Sequence, residues 1–485
     1  MRPPIGGQEI PPNGRLWGAS WPAYGARMAG PGTEFGGGHA LVVGGSVAGL
    51  VAAAALSPHF ARVTLVERDR YPDTPEPRKG TPQARHVHVL LKHGEHAIES
   101  FFPGLFAQLV ADGGQRVDNA RDARWHYFGA WKARFDSGIE MVSQSRPLLE
   151  WRLRWQLGQR TNVEVVEGDV SGLAADATGR ICGVRLRRRG IGESPVETVA
   201  AGLVVDASGR GSRLPRWLGE HGLASPPESE VRVDVGYATR FYRRTEVARD
   251  WTALLCHPRP PDTRCGVLLP VEDGRWMLTL VGWYGDHPPG DDAGFLAFTA
   301  SLATPALHEA VRDAEPLSPI ALHRFPSNLR RHYERVPDLP DGVIALGDAA
   351  CSFNPVYAQG MATGALGARE LDACLREQRA RRGAGNLAGF SRRFQRALAR
   401  VTDQPWLLAI TEDLRSPKAE GARPAWMPLA CWYTERVHEL TWSDPFTAKR
   451  FLEVMHLLRP PRALLHPAIL ARAVTLRSSP VRTKG

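Results

Sequence analysis

The chain has 485 residues, 43% of them hydrophobic, and 61 Lys and Arg against 51 Asp and Glu give it a net charge of +10. That length accommodates roughly two or three domains with large cores, and the basic residues are scattered, as in "RLRRRG" and "RARRGAG", without the aromatic-interleaved stripe of a nucleic-acid binder. Cys182, Cys256, Cys265, Cys351, Cys374 and Cys431 include no C-x-x-C pair, which argues against zinc and a disulfide framework; with no bilayer-length apolar run and no signal-peptide pattern, a cytoplasmic protein without membrane insertion is expected.

Residues 1–37 are rich in Gly and Pro without periodicity and read as a flexible extension. In "HALVVGGSVAGLVAAAAL", His39 to Val43 suit a buried strand and Leu50 to Leu56 a helix. The turn between them, Gly44, Gly45, Ser46, Val47, Ala48, Gly49, is a dinucleotide fingerprint whose middle glycine is Ser46. Glycine there lets the chain turn tightly and lets a pyrophosphate approach the helix N-terminus. A second strand in "ARVTLVERD" closes on Glu67, about twenty residues further on, where an acid can accept the hydroxyls of an adenosine ribose.

Further along, "HAIESFFPGLFAQLV" supplies a helical wall, and "MVSQSRPLLEWRLRWQL" reads as a strand entering a helix with Arg146 at the junction. "NVEVVEGDVSGL" and "GVRLRRRG" read as neighbouring strands. In "VETVAAGLVVDASGRGSRLPRWL" Asp206 closes a strand before a second glycine turn, where Gly209, Gly211 and Ser212 offer amides to a phosphate. From 231 to 330, "VDVGYATRFYR", "CGVLLPVEDG" and "RWMLTLVGWYG" alternate like an antiparallel sheet, with a turn at Glu272, Asp273 and Gly274. Tyr237, Trp276, Trp283 and Tyr284 are its pocket candidates, with core packing the competing reading. "VIALGDAACSFNPVYAQGMATGALGARELDACL" then gives a strand, Asp348, a loop with Pro355, and a helix after Gly360. Residues from about 385 onward form amphipathic helices that cap the pocket or pack between subunits.

Taken together, "VVGGSVAGL" with Glu67, "DASGRGSR" and "GDAACSFNPVYAQGM" resemble the three FAD motifs of single-component flavin monooxygenases with the para-hydroxybenzoate hydroxylase fold. "RKGTPQARHVHVLL", "VDVGYATRFYR" and "GVIALGDAACSFNPVYAQGM" further resemble the FAD epoxidases of polyether antibiotic pathways and related actinobacterial enzymes. The resemblance implies an α/β fold: a Rossmann-like, GR2-type FAD-binding domain (38–75, 140–220 and 335–380), an inserted antiparallel-sheet substrate domain (76–139 and 221–334), and a C-terminal helical region (381–485).

It also implies roles. Gly44, Gly45, Ser46 and Gly49 would face the pyrophosphate, Glu67 the ribose, and the Val170 backbone the adenine. Arg146 and Arg85 would reach the cofactor, with Arg78 a rival for the latter role. Asp348 would hold the ribityl hydroxyls, and Pro355 would stiffen the loop beside the flavin. The amides of Gly360, Met361 and Ala362 would stabilise its reduced form. The implied reaction inserts one oxygen of O2, by epoxidation or hydroxylation, into a sizeable apolar biosynthetic intermediate through a C4a-hydroperoxyflavin, with no protein acid or base named as catalytic.

Two positions depart from the family pattern. Ser208 stands where many relatives have an acid before the glycine, so NADPH or NADH could reduce the flavin directly or through a separate reductase partner. Cys351 follows "GDAA" where relatives often have histidine, and reads as a small core residue. The alternatives are a flavin reductase or dehydrogenase acting on isoprenoid-like or polyketide double bonds, and a non-enzymatic scaffold carrying FAD. The W-x-W-x-I-P signature of flavin halogenases is absent. Substrate identity and oligomeric state are not readable from the sequence.

Overall fold

The computed structural model describes residues 38–189, 195–245, 249–383 and 385–476. The extension at 1–37 lies outside the described residues. Short runs of Val, Leu, Ile and Ala build a seven-stranded sheet in the order Val343–Ala345, Leu203–Asp206, His39–Val43, Arg62–Glu67, Val163–Ala175, Ile181–Arg188, Val196–Ala200. The first five are mutually parallel and the last two antiparallel. Uninterrupted apolar strands of this kind suit a sheet covered on both faces. Their carboxyl ends are in register, Val43 beside Asp206 and Asp206 beside Ala345, so the turns after Val43, Glu67, Asp206 and Ala345 open along one edge. That edge is where ligands bind in open parallel sheets.

A second sheet of eight strands runs Cys351–Ser352, Ala321–Arg331, Glu228–Arg243, Arg275–Trp283, Arg264–Val271, Ala253–Cys256, Ala123–Tyr127, Ala130–Trp131. It is antiparallel except where Ala123–Tyr127 meets Ala253–Cys256. The turn expected at Glu272, Asp273 and Gly274 is present, with Asp273 and Gly274 at φ 63° and 62°. Pairing of Tyr237 with Val281 and of Thr239 with Thr279 puts these four residues, Cys265, Val267 and His323 on one face. The opposite face carries Ala238, Leu268, Leu278 and Leu280, packed on Phe295, Phe298 and Leu307 of two helices, Asp292–Ala300 and Ala306–Val311.

The helix Gln359–Arg382 packs on the helices Val47–Leu56, Lys92–Phe101 and Phe390–Asp413. Its small residues let neighbours approach: a Cβ on Gly94 would lie 2.5 Å from Ala362 Cα, and one on Gly364 3.0 Å from Ala48 Cβ. The expected C-terminal helices are Phe390–Asp413, Met427–Leu440, Pro445–Met455 and Pro467–Thr475. Among the described residues, no helix is long and apolar enough to cross a membrane.

Candidate functional site

A cavity of about 520 Å³ runs from the carboxyl edge of the parallel sheet to the inner face of the second sheet. Its first end is built on Gly44, Gly45 and Ser46 of the glycine turn, whereas Gly49, expected to face the pyrophosphate, packs against the Gly44 carbonyl oxygen and does not line the cavity. Ser46 precedes the helix Val47–Leu56 without a side-chain capping bond and sits between two charged side chains, accepting from Arg146 Nη2 at 2.7 Å and donating to Glu150 Oε1 at 2.7 Å. The departure from glycine is therefore used: the hydroxyl bridges Arg146 to Glu150, which also pair directly at 3.0 Å.

Glu150 lies one helical turn beyond Arg146 and is 3% exposed. Arg78 Nε approaches it at 3.5 Å and Arg154 Nη1 at 3.9 Å. Burial alone would raise its pKa, but the guanidiniums of Arg146 and Arg78 outweigh it and hold the carboxyl below the usual range. Glu67 accepts from the Gly45 amide at 2.7 Å and pairs with Arg78 at 3.1 Å. Arg85, by contrast, is exposed and does not line the cavity, whereas its rival Arg78 is buried in the lining.

The second glycine turn forms the next wall. Buried Asp206 accepts from Ser208 Oγ at 2.5 Å and from Ser212 Oγ, which fixes the turn and leaves Gly209 and Gly211 on the cavity with open space beside them. Ser212 itself is spent on Asp206 and does not line the cavity. Val170 lines it, and its carbonyl accepts from Arg213 Nη2 at 2.7 Å.

Asp348 lines the cavity, and among the described residues its carboxylate has no hydrogen-bond partner. Burial raises its pKa, with Arg146 and Arg210 pulling the other way. Pro355, Gly360 and Met361 also line the cavity at the N-terminus of Gln359–Arg382, but Ala362 points away and packs on Gly94. The chain enters that helix through Ala358 in the left-handed region at φ 56°, a strained conformation for alanine.

The strained loop is tied down by a carboxylate from the C-terminal helices. Asp413, 3% exposed, accepts from Tyr357 Oη at 2.7 Å, Asn328 Nδ2 at 2.6 Å and Asn354 Nδ2 at 3.0 Å. Tyr237 joins the network by donating to Asn354 Oδ1 at 2.9 Å. Burial pushes Asp413 up to about 6, against the pull of its three donors.

A folded-state pKa of about 6 above an unfolded value near 3.9 means that Asp413 contributes stability fully below pH ~4 and loses it as pH rises through 6. Urea unfolding at a series of pH values should show the stability of wild type minus that of Asp413→Asn falling by about 3 kcal/mol between pH ~4 and pH ~7. A flat difference would place the carboxyl near its ordinary pKa.

Of the aromatic pocket candidates only Tyr237 lines the cavity. Trp276 is one residue out of phase: strand alternation puts it on the outer face, stacked on Trp251 at 5.8 Å. Trp283 has the inner phase but sits at the strand end, packed with Val235 and Phe325 beneath Leu414 and Met427. Tyr284 also lies outside the lining. Cys351 is a buried core residue beside Phe353 and Ala409, its thiol pKa raised by burial.

A family model described as "FAD binding domain" matches residues 39–403. Protein Rv3254 of Mycobacterium tuberculosis (strain ATCC 25618 / H37Rv) is 32% identical over 449 residues, covering 90% of this chain and 93% of that protein. The chain belongs to the FAD-binding-domain family. Among solved structures, the flavin-dependent brominase Bmp2 superposes with TM-score 0.63 at 13% identity, covering 91% of this chain and 98% of that one. The p-nitrophenol 4-monooxygenase PnpA from Pseudomonas putida DLL-E4 gives TM-score 0.60 at 17% identity, covering 88% and 100%. At such identities these two likenesses establish the fold of this flavoprotein and nothing finer.

FAD fits the donors and acceptors on the cavity wall. A helix N-terminus and two open glycines suit a pyrophosphate, and the unpartnered Asp348 suits a chain of hydroxyls. Sequence reasoning missed Glu150, Asp413 and His86. An acid four residues after Arg146 in the otherwise apolar "RPLLEW" was a usable signal for the first; the others depend on distant contacts.

Proposed function

We propose that the protein is an FAD-dependent monooxygenase that inserts one oxygen atom, by epoxidation or hydroxylation, into a sizeable apolar substrate. The observation that carries the reading is the junction at Asp348 and Gly360. There an unpartnered carboxylate and a helix N-terminus line the same cavity as Val87, Val267, Val281, Phe325 and Val356. Bound FAD, once reduced, supplies the activation of dioxygen and the oxygen atom that is transferred.

The chain's own residues bind, orient and exclude water. Glu67 holds the adenosine ribose, Gly44–Ser46 and Gly209–Gly211 face the phosphates, and Asp348 accepts from the ribityl hydroxyls. The start of Gln359–Arg382 presents the positive end of its dipole to the ring, which favours negative charge there. Arg78 takes the cofactor-facing place first given to Arg85. The side chains of Val87, Val267, Val281, Phe325 and Val356 keep the oxygen-transfer chamber dry. Electrons come from NADPH or NADH, directly or through a partner reductase.

Mixing the FAD-loaded protein anaerobically with NADPH or NADH reads the donor from flavin bleaching. Admitting 18O2 with 1-naphthol or geraniol as aromatic and alkene probes then reads the reaction. One labelled oxygen in the product supports the proposal. A gain or loss of two hydrogens would replace it by the reductase or dehydrogenase reading, and bromide incorporation from added salt by a halogenase.

A further inference from the structure

The inner face of the second sheet carries a polar relay within its apolar lining. The Val87 amide donates to Thr279 Oγ1 at 3.0 Å, the Thr279 and Thr239 hydroxyls lie 2.6 Å apart, and Thr239 Oγ1 is 2.7 Å from His86 Nδ1. Among the described residues Thr279 Oγ1 has no acceptor other than Thr239 Oγ1, so the arrangement that pairs every hydroxyl proton runs from Thr279 to Thr239 and from Thr239 to His86 Nδ1. The tautomer assigned from this relay carries its hydrogen on Nε2. Burial, followed by His323 and Arg85, pushes the imidazole down to about 3, so the ring is neutral.

His86 lines the cavity and is 5% exposed, and its buried Nε2 has no hydrogen-bond partner among the described residues. A buried donor left unpaired keeps its desolvation penalty, so a ligand that satisfies it binds with selectivity. The neighbouring polar groups do not compete for it. The Tyr237 hydroxyl is engaged by Asn354, and the His323 ring lies 5.6 Å away, centre to centre, with no hydrogen bond between the two. The cavity lining also includes the apolar side chains of Val87, Val89, Val267 and Val281.

We propose that His86 Nε2–H is a substrate-binding donor that recognises a single carbonyl or phenolic oxygen on an otherwise apolar molecule. The proposal rests on reading this chamber as the substrate chamber, but its test needs no turnover. Thr239 and Thr279 are positioning residues: they fix the tautomer and aim the ring from behind.

Histidine-selective 15N spectra of the FAD-loaded protein, with His86 assigned by comparison with His86→Gln, should show the Nε2–H tautomer. Calorimetric titration should give 1-naphthol at least about tenfold tighter than naphthalene, which lacks only the oxygen. His86→Phe should bind FAD as wild type does, retain naphthalene binding and lose the preference. His86→Gln, which keeps an N–H donor, should retain part of it.

A naphthol preference that survives in His86→Phe, an Nδ1–H tautomer, or no 1-naphthol binding to the FAD-loaded protein would overturn the assignment. A purely structural His86 would weaken both probes equally. Failure of oxygen insertion with the preference intact would overturn the monooxygenase reading and leave the His86 site standing.

Discussion

Gly44→Val is expected to weaken FAD binding by about a hundredfold or more, a loss of roughly 3 kcal/mol. Gly44 has φ +100°, a conformation that costs a side-chain-bearing residue about 1–3 kcal/mol. A Cβ there would also lie 2.5 Å from the Ala207 carbonyl oxygen and 2.9 Å from Ser208 Cα, both backbone atoms with no rotamer to yield. The two glycine turns would have to separate, and both line the cavity. Titration of flavin-free protein followed by flavin fluorescence checks it, and wild-type affinity in Gly44→Val would show that the turn is not part of the cofactor site.

The second large effect is expected at Glu150. Glu150→Leu leaves Arg146, Arg78 and Arg154, all less than 10% exposed, without the carboxylate they share. Removing one partner of a buried ion pair typically costs about 3–5 kcal/mol because the remaining charge is uncompensated. Glu67 and Asp69 still pair with Arg78, so the residual burden falls on Arg146 and Arg154. Glu150→Gln keeps an acceptor for Ser46 and Arg146 and should lose less. Chemical denaturation measures both, and a loss below about 1 kcal/mol in Glu150→Leu would mean that water already solvates these arginines.

The site was legible where its residues are close in sequence to a backbone feature. The Gly44–Ser46 turn, Glu67 at a strand end and Asp348 before a helix each combine a local turn with one side chain, and all of them line the cavity. The sheet of the second half was legible from alternation, and its turn at Glu272–Gly274 from composition.

Phase and partner choice were not legible in the same way. Trp276 and Met277 differ by one residue but face opposite sides of the sheet, and nothing within "RWMLTL" says which side is covered by helices. Arg78 and Arg85 are both basic residues after the second strand, and only the fold buries one and exposes the other. Asp413 lies 56 residues from Tyr357 and 85 from Asn328, so its role depends on the return of the C-terminal helices to the loop.

The measurement that bears most directly on the central claim is a titration of flavin-free protein with FAD and with FMN, which lacks the adenosine monophosphate half. A single cavity that holds adenosine near Glu67 and the flavin ring near Gly360 predicts one FAD per chain and FMN binding at least about a hundredfold weaker. Equal affinity for the two, or no saturable FAD binding, would contradict it.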